Sequence, residues 1–197
     1  GRAYKSHSGL KVSAYPAIMK KTQAQQVSEM RPSLKEKREA QMKIAEILKK
    51  MIDFSDGNIH DIGHLIRVWT YARTIAELEG LDAETQYILE VAAITHDIAC
   101  PLCREKYGNT NGKHQETEGA PMVQDFLRDT GMTAAQIDRV AFLVGHHHTF
   151  TDVHGKDYQI LLEADYIANA SENGYERRNV ENFIHKIMWT ESGKVLA

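Results

Sequence analysis

From about position 40 onward, apolar residues recur at three- and four-residue spacing, and no segment alternates strictly between apolar and polar. That period predicts helices, with strands minor or absent. Met42, Ala45, Leu48 and Ile52 mark the inward face of a first helix. Its start is expected at Ser33, with Glu36 three residues on as capping-box partner. Asp56-Gly57-Asn58 reads as a turn. A second helix is expected over His60–Glu79, with Leu65, Val68, Ala72, Ile75 and Leu78 inward and Gly80 as its stop. A third runs from Ala83 to about Ala99; its run Val91-Ala92-Ala93-Ile94 predicts deep burial. Pro101 is expected to break the chain, and Leu102–Lys113 to be a polar loop. Further helices are expected over Gln115–Asp129, from a Thr133 cap to about His147, over Gln159–Ser171 and over about Arg177–Thr190. Trp69, Trp189 and the methionines are expected in the core. The result is an all-α bundle of six or seven helices, with no internal repeat.

Residues 1–30 differ from the rest. Arg2, Lys5, Lys11, Lys20 and Lys21 appear before any acidic residue, and the hydrophobic period is weak. The expectation is a flexible leader of processed or appended origin, given Gly1 at the start and Met19 and Met30 further in. Residues 31–197 then form one domain. A chain of 197 residues can bury one substantial core.

Composition narrows the function classes. Hydrophobic residues make up 42% and charged residues 26%, and the formal net charge is -3. A generic binder of polymeric nucleic acid or of anionic membrane is disfavoured, and no apolar run approaches the ~20 residues of a membrane span. Cys100 and Cys103 cannot make a disulfide framework, so a reducing cytoplasm is the expected location. The Cys-x-x-Cys spacing also suits zinc or redox chemistry, but no second pair accompanies it, and packing or loop-shaping is the plainer reading.

The unusual figure is ten histidines, three of them consecutive at His146, His147 and His148. Histidine is the commonest metal ligand. His64 interrupts the apolar face of the second helix, His96-Asp97 closes the most apolar helix, and Asp165 lies in Leu161-Leu162-Glu163-Ala164-Asp165. A buried ionised Asp is costly unless it is paired or bound to a metal. Neighbours on a helix differ by ~100°, so His96 and Asp97 can reach one ion only from a helix end that points at it. His60 and His64 share a face, as in zinc proteases, but Asp61 and Gly63 depart from that motif; His60 is expected to orient a ligand.

In order, His64, His96-Asp97 and Asp165 resemble the H…HD…D signature of the HD superfamily of metal-dependent phosphohydrolases, over about residues 56–195. His64-Leu65-Ile66-Arg67-Val68, Thr95-His96-Asp97-Ile98 and Glu163-Ala164-Asp165-Tyr166-Ile167 resemble its motifs. The resemblance implies one divalent transition metal (Fe, Mn, Zn, Co or Ni) on His64, His96, Asp97 and Asp165. In dinuclear members, histidines placed like His114, His146 and His147 bind a second ion, with Asp97 bridging. Small single-domain bacterial members share Glu-Ala-Asp followed by Asn, here Asn169, and a Thr-Glu-x-Gly segment, here Thr190–Gly193. A branch that cleaves diadenosine tetraphosphate at a di-iron site shares Gly119-Ala120 and Ala164-Asp165-Tyr166-Ile167.

The implied reaction is hydrolysis of a phosphate ester or anhydride in a small nucleotide or related metabolite, since no basic groove is evident to hold a polymer. Asp97 is expected to act in catalysis, and Arg67 and Lys113 to meet phosphate. Arg67 could equally pair with a carboxylate, and Lys113, with Arg104 and Lys106, could simply be solvated. Glu116 and Glu118 could act as acids, support ligands, or offset the N-terminal dipole of their helix. A second copy of the chain is a further potential partner. A dinuclear-iron oxygenase and a non-catalytic metal-bound sensor are the other classes this resemblance leaves open.

Overall fold

The computed structural model describes residues 41–197, and among them there are nine helices and no strand. They are α1 (Ile44–Phe54), α2 (Ile59–Leu78), α3 (Ala83–Thr95), α4 (Cys100–Tyr107), α5 (Gly112–Leu127), α6 (Ala134–Val144), α7 (Lys156–Asn173), α8 (Arg177–Lys186) and α9 (Glu191–Leu196). The expected leader over 1–30 and the Ser33 cap lie outside the described residues.

Helix α3 is the axis of the bundle. It packs against α1, α2, α6 and α7, and Leu89 to Thr95 are buried without interruption; the run Val91–Ile94 is apolar all round, and buried Glu90 is hydrogen-bonded by Trp69 and Gln86. Asp82 starts α3 by accepting hydrogen bonds from the N–H groups of Glu84 and Thr85. Helices α2 and α7 flank α3 and lie against each other. Leu65, Val68, Ala72 and Ile75 of α2 face inward, whereas Leu78 is exposed; ~100° per residue puts it off that face. In α1 the buried residues are Ile47 and Met51, and Ala45 is exposed, so the inward stripe is rotated from the expected one.

The expected break at Pro101 is instead a helix start. The proline occupies the first turn of α4, where its missing N–H leaves nothing unsatisfied and its fixed φ suits the helix. The expected loop over Leu102–Lys113 therefore contains α4 and the beginning of α5, which Asn111 caps by accepting from Lys113 N–H. Thr133 caps α6 as expected, accepting from Gln136 N–H, but α6 ends at Val144, so His146–His148 form a turn rather than a last helical turn. Helix α7 begins three residues before the expected Gln159, α8 stops at Lys186 short of the expected Thr190, and α9 lies beyond the expected helices. Trp189 is exposed, and Trp69 is half-buried with its indole N–H donating to Glu90.

Two close approaches set where the ends of these helices lie. A Cβ on Gly119 would stand 2.9 Å from Val144 Cγ1 and 3.8 Å from Ala99 Cβ, so this glycine lets α5 press against the end of α6 and the start of α4. At the other end, Glu163 is fully buried. It accepts hydrogen bonds from Gln159 Nε2 at 2.7 Å, Trp189 N–H at 2.7 Å, Thr190 N–H at 3.1 Å and the Thr190 hydroxyl. The Glu-Ala-Asp and Thr-Glu-x-Gly segments are thus the two halves of one contact that fastens α9 to α7 two residues before Asp165.

A Cβ on Gly193 would overlap Glu163 Oε2 and lie 2.6 Å from Thr190 Oγ1. Gly193→Ala is expected to destabilise the protein by about 1–3 kcal/mol, the usual cost of overpacking, as read by urea denaturation followed by circular dichroism. An unchanged denaturation midpoint would show that α9 is not fastened in this way.

Candidate metal centre

His64, one turn into α2, is 6% exposed; His96, which caps the C-terminus of α3, is fully buried; Asp165, in the middle of α7, is 7% exposed. Asp97 lies in the turn between α3 and α4 and keeps 27% of its side chain accessible. Three elements meeting at one point bring their donor atoms together. His64 Nε2 stands 3.2 Å from His96 Nε2 and 3.2 Å from Asp165 Oδ1, and His96 Nε2 is 3.6 Å from the same oxygen. Asp97 places Oδ2 3.7 Å from His64 Nε2 and Oδ1 3.7 Å from His96 Nε2. Donors held around one ion by bonds of about 2.0–2.2 Å are separated by about this much.

Asp97 also faces a second group. Its Oδ1 is 3.4 Å from Nε2 of the fully buried His147, and donor atoms of Asp97, His147 and His148 all lie within 4.8 Å of one another. The ring of His148 lies against Gly112, where a Cβ would come within 2.7 Å of it. The turn is tied down by buried Glu116, which accepts from His148 N–H at 3.1 Å and from the Thr149 hydroxyl at 2.7 Å.

The other ring nitrogens explain why Nε2 is the atom presented. His96 Nδ1 donates to Ala93 O at 2.8 Å and His147 Nδ1 to Val144 O at 2.6 Å. His64 Nδ1 meets Glu172 Oε2 at 2.9 Å. An Nδ1–H so engaged leaves Nε2 with a free lone pair. Asp165 is held in turn by Asn169, whose amide donates to Oδ1 at 2.8 Å. Buried His147 Nε2 and His148 Nε2 have no hydrogen-bond partner among the described residues. Buried nitrogens are rarely left so, and a cation would satisfy them. The residues therefore fit a divalent metal by donor type, spacing and orphaned lone pairs.

The remaining expected site residues are placed as follows. His146 does not join either group: Nδ1 donates to Phe142 O at 2.7 Å and the ring stacks on Phe142. The sequence points to His146 rather than His148, because the register of three consecutive histidines depends on where α6 stops. His114 stacks on Tyr107 with ring centroids 3.9 Å apart, and its buried Nδ1 is unpartnered among the described residues, but it does not cluster with Asp97. The Arg67 guanidinium pairs with Glu172. Lys113 is 81% exposed with Nζ 3.7 Å from Glu116; Arg104 pairs with Asp61 and Lys106 with Glu118. His60 is 82% exposed beside Asp61 and does not reach His64; the group on His64 Nδ1 is Glu172. Glu172 follows Asp165 and Asn169 at helical spacing on one face of α7, which is the signal that could have found it. Cys100 and Cys103 are free and buried.

Without a cation the cluster must hold protons. Burial alone would lower the pKa of His64, but Asp165, Asp97 and Glu172 outweigh it and raise the value from 6.5 to about 9. Burial opposes ionisation of Asp97 and Asp165 too, yet the surrounding imidazoles hold both carboxyls well below the usual range. His148 goes the other way: burial and neighbouring His147 lower it to about 4, so it stays neutral.

The metal-free protein is therefore expected to lose stability at both ends of the pH scale. Between pH 6.5 and about 9 the folded His64 binds a proton that the unfolded chain does not. That stability is fully present below 6.5 and is lost as pH rises through about 9, on the order of 3 kcal/mol in all. The carboxylates contribute stability that is present above about pH 4 and is lost in acid. Urea denaturation in the presence of a chelator checks this; a flat profile from pH 6.5 to 9 would show that His64 carries no such proton.

With this geometry in place, comparisons with known proteins become informative. No curated protein matches the chain. A crystal structure of a predicted HD superfamily hydrolase from an uncultured Thermotogales bacterium has a similar fold, with TM-score 0.54 and 23% identity over 89% of this chain and 88% of that one. The family model for the HD domain matches residues 61–171, more than half the chain, from just before the first clustered histidine to the helix that carries Asp165. The chain belongs to the HD domain family.

Proposed function

We propose that the protein is a metal-dependent phosphohydrolase acting on a small phosphorylated substrate, a nucleotide or related metabolite. The observation that carries this reading is the sharing of Asp97 between the His64–His96–Asp165 group and the His147–His148 group. One carboxylate set between two clusters of imidazole nitrogens suits one or two divalent ions, of the kind used in phosphoryl transfer.

A divalent ion in this cage would supply Lewis acidity, bringing the pKa of a water towards about 7 and drawing charge from a phosphoryl oxygen. The chain's own residues do the rest. His96 and His147, locked by Ala93 and Val144, present fixed lone pairs that cost no reordering when the cation binds. Asp97 has one side facing the cluster and a quarter of its side chain open to solvent. It is the ligand placed to accept a hydrogen bond from an incoming water and to orient it. Asp165 stays ionised in a nearly closed environment and balances the positive charge of the ion. Lys113 is 81% exposed, with its ammonium 3.7 Å from Glu116, and its open charge is available to attract a substrate phosphate.

Asp97→Ala should abolish hydrolysis of p-nitrophenyl phosphate and of a nucleotide panel assayed with Mn, Co, Ni or Fe. The side chain sits in a turn, so helical content by circular dichroism should be nearly unchanged. Equal rates for variant and wild type would reject the catalytic assignment. Oxygen uptake in place of phosphate release would move the protein to the oxygenase class.

A further inference from the structure

Helix geometry divides His64, His96 and His147 into two kinds. The last carbonyls of a helix have no partner within it, and His96 and His147 both use a carbonyl three residues back to fix their Nδ1–H. His64 cannot do this. It lies within α2 between Ile59 and Leu78, where the carbonyls of the preceding turn are taken by the helix itself. A residue from another element has to hold its ring, and Glu172 of α7 does so, at 2.9 Å from Nδ1. Glu172 is a long side chain, 11% accessible, and its second oxygen is occupied by Arg67 Nη1. Arg67 is one turn beyond His64 on α2, so both partners of the carboxylate project from the same helix.

We propose that Glu172 is the positioning residue that makes His64 an Nε2 ligand, and that Arg67 acts through Glu172 on the metal centre rather than on substrate. This rests on the metal-centre reading above. A carboxylate accepting from Nδ1–H fixes the tautomer and raises the basicity of the opposite nitrogen more than a carbonyl does. His64 would then be the strongest donor of the set, and its strength would depend on a pair that touches neither ion nor substrate. The ion pair restrains the carboxylate so that one oxygen stays on the imidazole.

The test uses the full chain and Co(II) as the probe. Glu172→Leu, which removes the acceptor at similar volume, is expected to weaken Co(II) binding 10- to 100-fold by calorimetry and to alter the visible spectrum of the bound ion. Glu172→Gln, which keeps an oxygen acceptor, should recover most of the affinity. Arg67→Met should weaken Co(II) binding several-fold, while the Co(II)-loaded variant binds inorganic phosphate as tightly as wild type does. Two results would overturn the proposal: Glu172→Leu binding Co(II) with wild-type affinity and spectrum, or Arg67→Met losing phosphate affinity with Co(II) affinity intact. Should Glu172→Leu fail to fold, comparison of Glu172→Gln with Arg67→Met decides by the same readings. A wild-type chain that takes up no Co(II) would remove the metal-centre reading itself, and this inference with it, which separates the two failures.

Discussion

The structure depends on lone pairs that face one another. Nε2 of His64 and Nε2 of His96 are 3.2 Å apart, and each looks onto a carboxylate oxygen of Asp165. Their Nδ1 atoms are already committed elsewhere. Acceptors cannot be packed at such distances in a buried place without something positive between them. Protons can serve, and the carboxylates around His64 favour one by raising its pKa to about 9. A divalent ion serves better, because it satisfies all of the lone pairs at once. The bundle is thus built around a place that is unfavourable when empty of positive charge, and the cost is met by the apolar packing of α3 against its neighbours.

That requirement explains the choice of elements. An interior helix can bring a single side chain to a point, but two consecutive residues can converge only where the helix ends. Helix α3 ends at Thr95, so that His96 and Asp97 both reach the centre; α6 ends at Val144, so that His147 and His148 join Asp97 in a second group. The proline at the start of α4 and the glycine contact of α5 against Val144 place those two ends. The fold supplies termini where the clustered donors come in pairs, and helix interiors, α2 and α7, where each brings one.

Much of this was legible in the chain. Helical period, the Thr133 cap and the apolar run of α3 need only local chemistry, and His64, His96, Asp97 and Asp165 stood out as polar residues in apolar stretches. What was not legible depends on where helices stop and which face turns inward. Pro101 reads as a break or as a first-turn residue, and only the packing of α4 on α5 decides between them. The run His146–His148 places a different histidine inward for each residue added to α6. Leu78 continues a plausible stripe but falls beyond the core. Glu163 and Gly193 share no local signal, since their contact joins α7 to a helix nearly thirty residues later.

The same logic bears on the charged residues around the centre. Arg67, Arg104 and Lys106 each have a carboxylate partner, in Glu172, Asp61 and Glu118. A cation already paired contributes less to holding a phosphate than one that is free, because the substrate must compete with a carboxylate that is always present. Under the proposed function, the attraction for an anionic substrate would come mainly from the metal centre itself. A chain with net charge -3 and few uncommitted cations near its ligands would recruit phosphate through the ion, and its affinity for substrate would follow occupancy of the centre more closely than the ionic strength of the medium.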